Sequence, residues 1–148
     1  MIRITNQRQI KTDINRLIKR LNIDSEVFIR RIALEVFKGV IQKNPVDTGF
    51  SRYNWNVTPN SSDTNVYGGS RENFAENKAE GAQRAAARNS EQIWALDRAR
   101  HYFVTNNVYY IKYLEEGSAG RPGYHMAKRT INEVQARLRA LKRELFKK

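Results

Sequence analysis

Across residues 6 to about 21, the apolar positions Ile10, Ile14, Leu17, Ile18 and Leu21 recur at helical spacing among lysines and arginines. Such a narrow stripe predicts an amphipathic helix. After Asn22, Ile23, Asp24 and Ser25, which can cap a new start, a wider stripe runs from Val27 through Phe28, Ile32, Val36, Phe37, Val40 and Ile41. It predicts the main core helix, ended at Asn44 because the residue before Pro45 is pushed out of the helical region. Tyr53, Trp55 and Val57 then alternate with Arg52, Asn54 and Asn56, which predicts a strand with one buried face. Pro59 to Asp63 reads as a loop, and Asn65, Val66 and Tyr67 as a short second strand before Gly68 and Gly69.

Residues 70–87 are rich in Ala, Glu, Asn and Arg, with Phe74 their one bulky apolar side chain. Two readings stay open: a helix of good propensity with little to bury, or a loop ordered only against a neighbour. The expectation is a partly helical, exposed arm. Asn89 and Ser90 can cap a further short helix through Glu91, Ile93, Trp94 and Leu96, or the stretch can lead directly into a strand. His101 to Thr105 has strand composition, Asn106 and Asn107 stop it, and residues 108–117 predict a short helix closed by Gly117. Residues 118–123 read as a loop. The final pattern, Ala127, Ile131, Val134, Leu138, Leu141 and Leu145, steps by four and three alternately, one apolar seam on a basic helix. Three heptad steps are too few for a free coiled coil, so the seam is expected to pack on the first long helix or the sheet.

A length of 148 residues with 40% hydrophobic positions and fifteen aromatics (6 Phe, 7 Tyr, 2 Trp) fits one domain with a packed interior. Its regions divide as 1–44 helical, 45–69 strand, 70–98 arm or helix, 99–123 strand with short helix and loop, and 124–148 C-terminal helix. The fold class expected is α+β: long terminal helices packed on a small, mainly antiparallel sheet, with an exposed arm or helix between strands. The chain has no cysteine, which excludes disulfides, thiol nucleophiles and thiolate metal sites and points to a reducing compartment. No stretch has the length of a membrane span, and residues 1–6 lack the apolar core of a signal peptide, so a soluble intracellular protein with no membrane partner is expected.

Charge is unevenly placed. Residues 1–43 carry ten basic and four acidic side chains, residues 44–120 eight and nine, and residues 121–148 nine and two, within a net charge of +12. The excess is terminal, and basic ends want an acidic partner: phosphate, an acidic protein flank or a neighbouring subunit. A solvated helix face accounts for such charge equally well. No helix-turn-helix, zinc-finger or RNA-recognition signature is present, so specific base reading is not expected.

The chemistry of an enzyme is missing. His101 and His125 have no ligand-spaced neighbours, Glu115 and Glu116 are adjacent and therefore diverge on a helix, and no phosphate loop, dinucleotide fingerprint or nucleophile elbow occurs. The sequence thus calls for no catalytic residue, no metal and no cofactor.

Two segments remain that join turn residues, aromatics and charge: Pro45-Val46-Asp47-Thr48-Gly49-Phe50-Ser51-Arg52, and the run from Asn106 and Asn107 through Tyr110 to Glu115, Glu116 and Gly117. With Trp55 following the first, they resemble the neck or tail-completion proteins of tailed double-stranded DNA phages, including lambda-like minor tail protein Z relatives. That family typically shows P-V-D-T-G-x-x-R-x-x-W and then N-N-x-x-Y-x-x-x-L-E-x-G, and the resemblance covers about residues 25 to 135. Tyr109 stands where a proline is common, Glu116 where an aromatic is common, and Arg121-Pro122-Gly123-Tyr124 replaces a Gln-Ala-Pro loop.

The resemblance implies a structural virion protein, a tail terminator or completion ring that joins the tail tube to the head connector around the DNA path, assembled in the host cytoplasm. Its partners would be copies of itself (six for a tail terminator, twelve for a connector), the head connector or adaptor, tail tube proteins, and genomic double-stranded DNA passing through the lumen without sequence-specific binding. The interface residues it points to are Asp47, Thr48, Gly49, Arg52, Trp55, Asn106, Asn107, Tyr110, Glu115, Glu116, Gly117 and Arg121. Glu115 and Glu116 are expected to meet basic residues such as Arg52 or Arg121, within or between subunits, the residue 70–87 arm to order on the neighbouring ring, and part of the positive excess to lie near DNA. The alternative is a small basic nucleic-acid-binding protein without sequence specificity.

Overall fold

The computed structural model describes residues 7–145. Residues 1–6, read above for a signal peptide, and the Leu145 side chain of the C-terminal seam lie outside the described residues. Helix α1 (Gln7–Leu21) presents Leu17, fully buried, with Ile14 beside it. Helix α2 (Ser25–Lys43) starts where the Asp24 carboxylate accepts hydrogen bonds from the Glu26 and Val27 amides, at 2.9 and 3.3 Å, satisfying two of the amides that a helix start leaves open. It stops at Asn44, whose extended backbone (φ −70°, ψ 123°) precedes Pro45, as expected of a pre-proline residue.

The chain next differs from expectation. Gly49, at φ 88°, turns it into a one-turn helix α3 (Phe50–Tyr53), and strand β1 begins only at Asn56 (Asn56–Pro59). Asn54 and Asn56, the predicted exposed face, are buried at 0% and 2% exposure. Both find hydrogen-bond partners: the Asn54 side chain bonds Phe50 O and the Tyr67 amide, and the Asn56 amide donates to Asn54 O. Alternation therefore reflected a folded-back turn lined with asparagines, since buried amides are tolerated once they are paired. Residues 65–67 form no strand; the Tyr67 amide is taken by Asn54 instead of by a ladder.

Strand β2 (Tyr102–Thr105) pairs antiparallel with β1 in the register Val57 to Val104 and Thr58 to Phe103. The outer edge of β1 is closed by a side chain: Gln92 donates to Trp55 O at 3.1 Å and accepts from the Val57 amide at 3.1 Å. One carboxamide thus mimics the strand that would otherwise be free to add there.

Residues 70–98 are a docked helical unit. After the single turn α4 (Glu72–Ala75), helix α5 (Lys78–Ala95) is capped by Asn77 and runs unbroken through Asn89 and Ser90, which cap nothing; Gly81, Ala85 and Asn89 are buried. As expected, residues 70–87 are largely helical and mostly exposed; the unforeseen feature is that one face, at Gly81 and Ala85, packs closely within the chain. A Cβ on Gly81 would lie 2.1 Å from Thr48 O, and one on Gly49 would lie 2.7 Å from Gly81. Small residues hold this helix because they let two backbones approach, a role that a search for large apolar side chains misses.

Gly81→Ala is accordingly expected to cost about 2 kcal/mol in urea denaturation, because overpacking against immobile backbone outweighs the ~1 kcal/mol alanine gains in helix propensity. An unchanged midpoint would show that α5 is not held at this crossing.

Helix α6 (Ile111–Glu116) ends at Gly117 (φ 87°) as predicted. The expected loop 118–123 contains a minimal hairpin, β3 (Gly117–Ser118) with β4 (Arg121–Pro122). Helix α7 (Met126–Leu145) lays Val134 and Leu138 against Leu17 of α1 and Phe28, Ile32 and Val36 of α2, so the seam packs on the N-terminal helices. Its first turn enters the main core, where Met126 joins Phe37, Val40, Trp55, Val57 and Leu96. The fold is α+β with long helices at both ends. Among the described residues no helix is long and apolar enough to cross a membrane.

Candidate functional site

The turn after α2 and the stretch entering α6 come together. Asn106 donates its side-chain amide to Ser51 O at 2.8 Å and accepts from the Val108 amide, tying the second segment to the first. Beneath them Phe50, Phe74 and Val108 form a separate buried cluster, with Tyr53, Tyr110 and Ile111 packed against it. Above it lies a groove of about 320 Å³ lined by Asp47, Thr48 and Ser51 from the first segment, Tyr109, Tyr110 and Leu114 from the second, and Pro45, Arg71 and Tyr124.

Apart from Glu115, the predicted residues fall into three groups. Asp47, Thr48 and Tyr110 line the groove. Thr48 is buried and its Oγ1 accepts from the Phe50 amide at 3.3 Å, while burial pushes the Tyr110 phenol above its ordinary pKa. A second group serves the scaffold. Trp55 Nε1 donates at 2.9 Å to Asn44, a residue outside the predicted set, whose buried carboxamide also donates to Ser51 Oγ (2.7 Å) and Pro45 O (2.8 Å). Arg52 Nε donates to Asn44 O at 3.0 Å, and burial lowers the pKa of its guanidinium. Asn107 holds the 63–65 loop by donating to Asp63 O. Gly49 supplies a left-handed turn and Gly117 a positive-φ exit from α6 into β3. The third group, Glu116 and Arg121, is exposed, with Glu116 3.9 Å from Lys112 one turn earlier.

Glu115 departs from its expected role. It is 4% exposed, and its two carboxylate oxygens accept from the Ala127 and Lys128 amides at 3.0 and 3.1 Å. Neither Arg52 nor Arg121 is its partner within the chain; the carboxylate caps α7, where amides and helix dipole together favour an anion.

Sequence reasoning missed Asn44 and the arginines of α5. Arg88 donates to the carbonyls of Tyr53 and Trp55 and to Asn56 Oδ1, with its guanidinium 4.3 Å from the Tyr67 ring centroid and 4.9 Å from that of Tyr53. Arg84 lies 4.2 Å from the Phe74 ring centroid. These cation–π contacts pin α5 to Tyr53 of α3, Phe74 of α4 and Tyr67 of the loop between β1 and α4. The available signal was arginine at a four-residue step on a helix facing an aromatic segment.

At the mouth of the groove Asp47 faces two cations, Lys78 Nζ at 2.9 Å and the Arg71 guanidinium. Hydrogen bonds from Lys78 and then Arg71 hold its pKa below the ordinary value. A depressed carboxylate stabilises the fold above the unfolded-state pKa near 4 and loses that contribution as pH falls through the lower folded value. Carboxyl NMR titration should place the Asp47 midpoint below 3.8, and Lys78→Ala should raise it. A midpoint indifferent to Lys78→Ala would mean the pair does not form in solution.

Among the described residues no group of three or more His, Asp or Glu side chains is placed to hold a metal. The arrangement offers recognition chemistry: exposed phenol rings, a charged rim and a firm floor. Comparison with family models, with curated proteins and with solved structures finds no match to this chain.

Proposed function

We propose that this protein is a structural component of the phage head-to-tail interface, a neck, tail-completion or tail-terminator subunit that assembles as a ring around the DNA path. One observation carries the reading: the two segments on which the resemblance rests share a single surface groove, joined by the Asn106 to Ser51 bond across 55 residues of sequence. Two unrelated loops would have no reason to be tied together; a recognition surface built from both would. The basic exposed faces of α1 and α7, carrying Lys11, Arg16, Lys19, Arg129 and Arg139, suit a location near phosphate or an acidic neighbour.

Light scattering and negative-stain imaging of the purified chain test this. Closed rings that join tail tubes to heads support it. Monomers at every concentration that shift DNA with strong salt dependence would replace it by the basic nucleic-acid-binding alternative.

A further inference from the structure

Two surface features are left without a counterpart inside the chain. The first is Trp94, 85% exposed in the last turn of α5, whereas the other tryptophan, Trp55, is 3% exposed. A solvated indole forgoes one of the largest burial gains a side chain can make. Close by in sequence stand Glu91 and Asp97, both exposed, and among the described residues neither takes part in an ion pair.

The second feature is the groove. Its 320 Å³ lies at the small end of ligand pockets, the scale of one large side chain. Tyr109 and Tyr124 on its wall are 82% and 48% exposed. Its rim carries surplus positive charge, since the single carboxylate of Asp47 answers both Arg71 and Lys78, and Arg121 on the adjoining hairpin is exposed. Trp94 does not line its own groove.

We propose that Trp94 of one copy seats in the groove of the next, with Glu91 and Asp97 facing the cationic rim. This rests on the ring reading above and names its subunit contact. Knob and socket are different patches, so the contact is heterologous and propagates around a ring when the rotation closes. Aromatic and arginine anchors in a pocket are the usual centre of such interfaces, and the opposed charges set the docking orientation.

Sedimentation velocity of the full chain tests the contact. Trp94→Ala is expected to weaken association at least about 30-fold, the loss typical of a central anchor, with an unchanged melting temperature at dilutions where both chains are monomeric; Trp94→Phe should retain much of the affinity. Quenching by iodide reads the same event, because Trp94 is open in the monomer and covered on association while Trp55 stays buried. The chain has no native cysteine, so Ala95→Cys combined with Tyr109→Cys should give a ladder of covalent multimers with a short bismaleimide, and each single variant no ladder.

Rings that survive Trp94→Ala, with no ladder, would place the contact elsewhere and leave the ring reading standing. A ladder on open filaments would keep the contact and remove the closed ring. A wild-type chain that stays monomeric, with quenchable Trp94 and no ladder, would overturn both.

Discussion

Glu115→Lys is expected to lower stability by about 4 kcal/mol or more, whereas Glu116→Lys next to it should fall within about 0.5 kcal/mol of wild type. The two glutamates differ in where the fold leaves them. Glu115 is buried, with both oxygens on the first amides of α7. Hydrogen bonds to a charged group contribute about 1.5 to 3 kcal/mol each, and lysine would put a buried cation against the positive end of the helix. Against a typical domain stability of about 5 to 15 kcal/mol, the loss is a large share. Glu115→Gln keeps an acceptor but not the charge, and an intermediate loss of about 1 to 2 kcal/mol is expected. Urea denaturation gives the magnitudes, and hydrogen exchange at Ala127 and Lys128 locates them. If Glu115→Lys leaves the urea midpoint in place, the α7 cap is not what this carboxylate does.

The second large effect is expected at Asn44. Asn44→Ala removes the side chain that accepts from Trp55 Nε1 and donates to Ser51 Oγ and Pro45 O. The Trp55 indole N–H is left buried without an acceptor, at about 1 to 3 kcal/mol for that group alone, and a cavity opens beside it. A total of about 3 kcal/mol is expected. The mechanism has its own check: in a Trp55→Phe background no N–H remains to be stranded, so the cost of Asn44→Ala should fall by about 1 kcal/mol or more. Strict additivity would show that the carboxamide is not energetically coupled to the indole N–H. Because Asn44 joins the end of α2 to the floor of the groove, the same variant should weaken any assembly that uses the groove.

Much of the scaffold was legible because local rules and tertiary packing agree. Asp24 caps α2, Pro45 ends it, Gly117 closes α6, and the α7 seam faces apolar partners on α1 and α2. The failures share one cause. Alternation around Trp55 read as a half-buried strand because asparagines count as polar, yet Asn54 and Asn56 are interior and paired. Residues 70–87 form the helical, mostly exposed segment expected, but their lack of large apolar side chains hid the close backbone crossing at buried Gly81 and Ala85, which needs small residues. At the site, the two segments could be picked out by residue type, but not the roles of their charges: Glu115 looked like a partner for arginine and is a helix cap.

The sequence by itself determined the start and end of α2, the end of α6, the α7 seam, the antiparallel pairing of the segment after Tyr53 with the strand at Phe103, the basic termini and the two turn-plus-aromatic segments. These depend on near-neighbour sterics, capping and periodicity, which act over a few residues. Only the tertiary structure decided that those segments share one groove, that Arg88 and Gln92 from α5 close over β1, and which of two adjacent glutamates is buried. Such outcomes follow from which distant surfaces meet, and contact between residues far apart in the chain leaves no periodic trace along it.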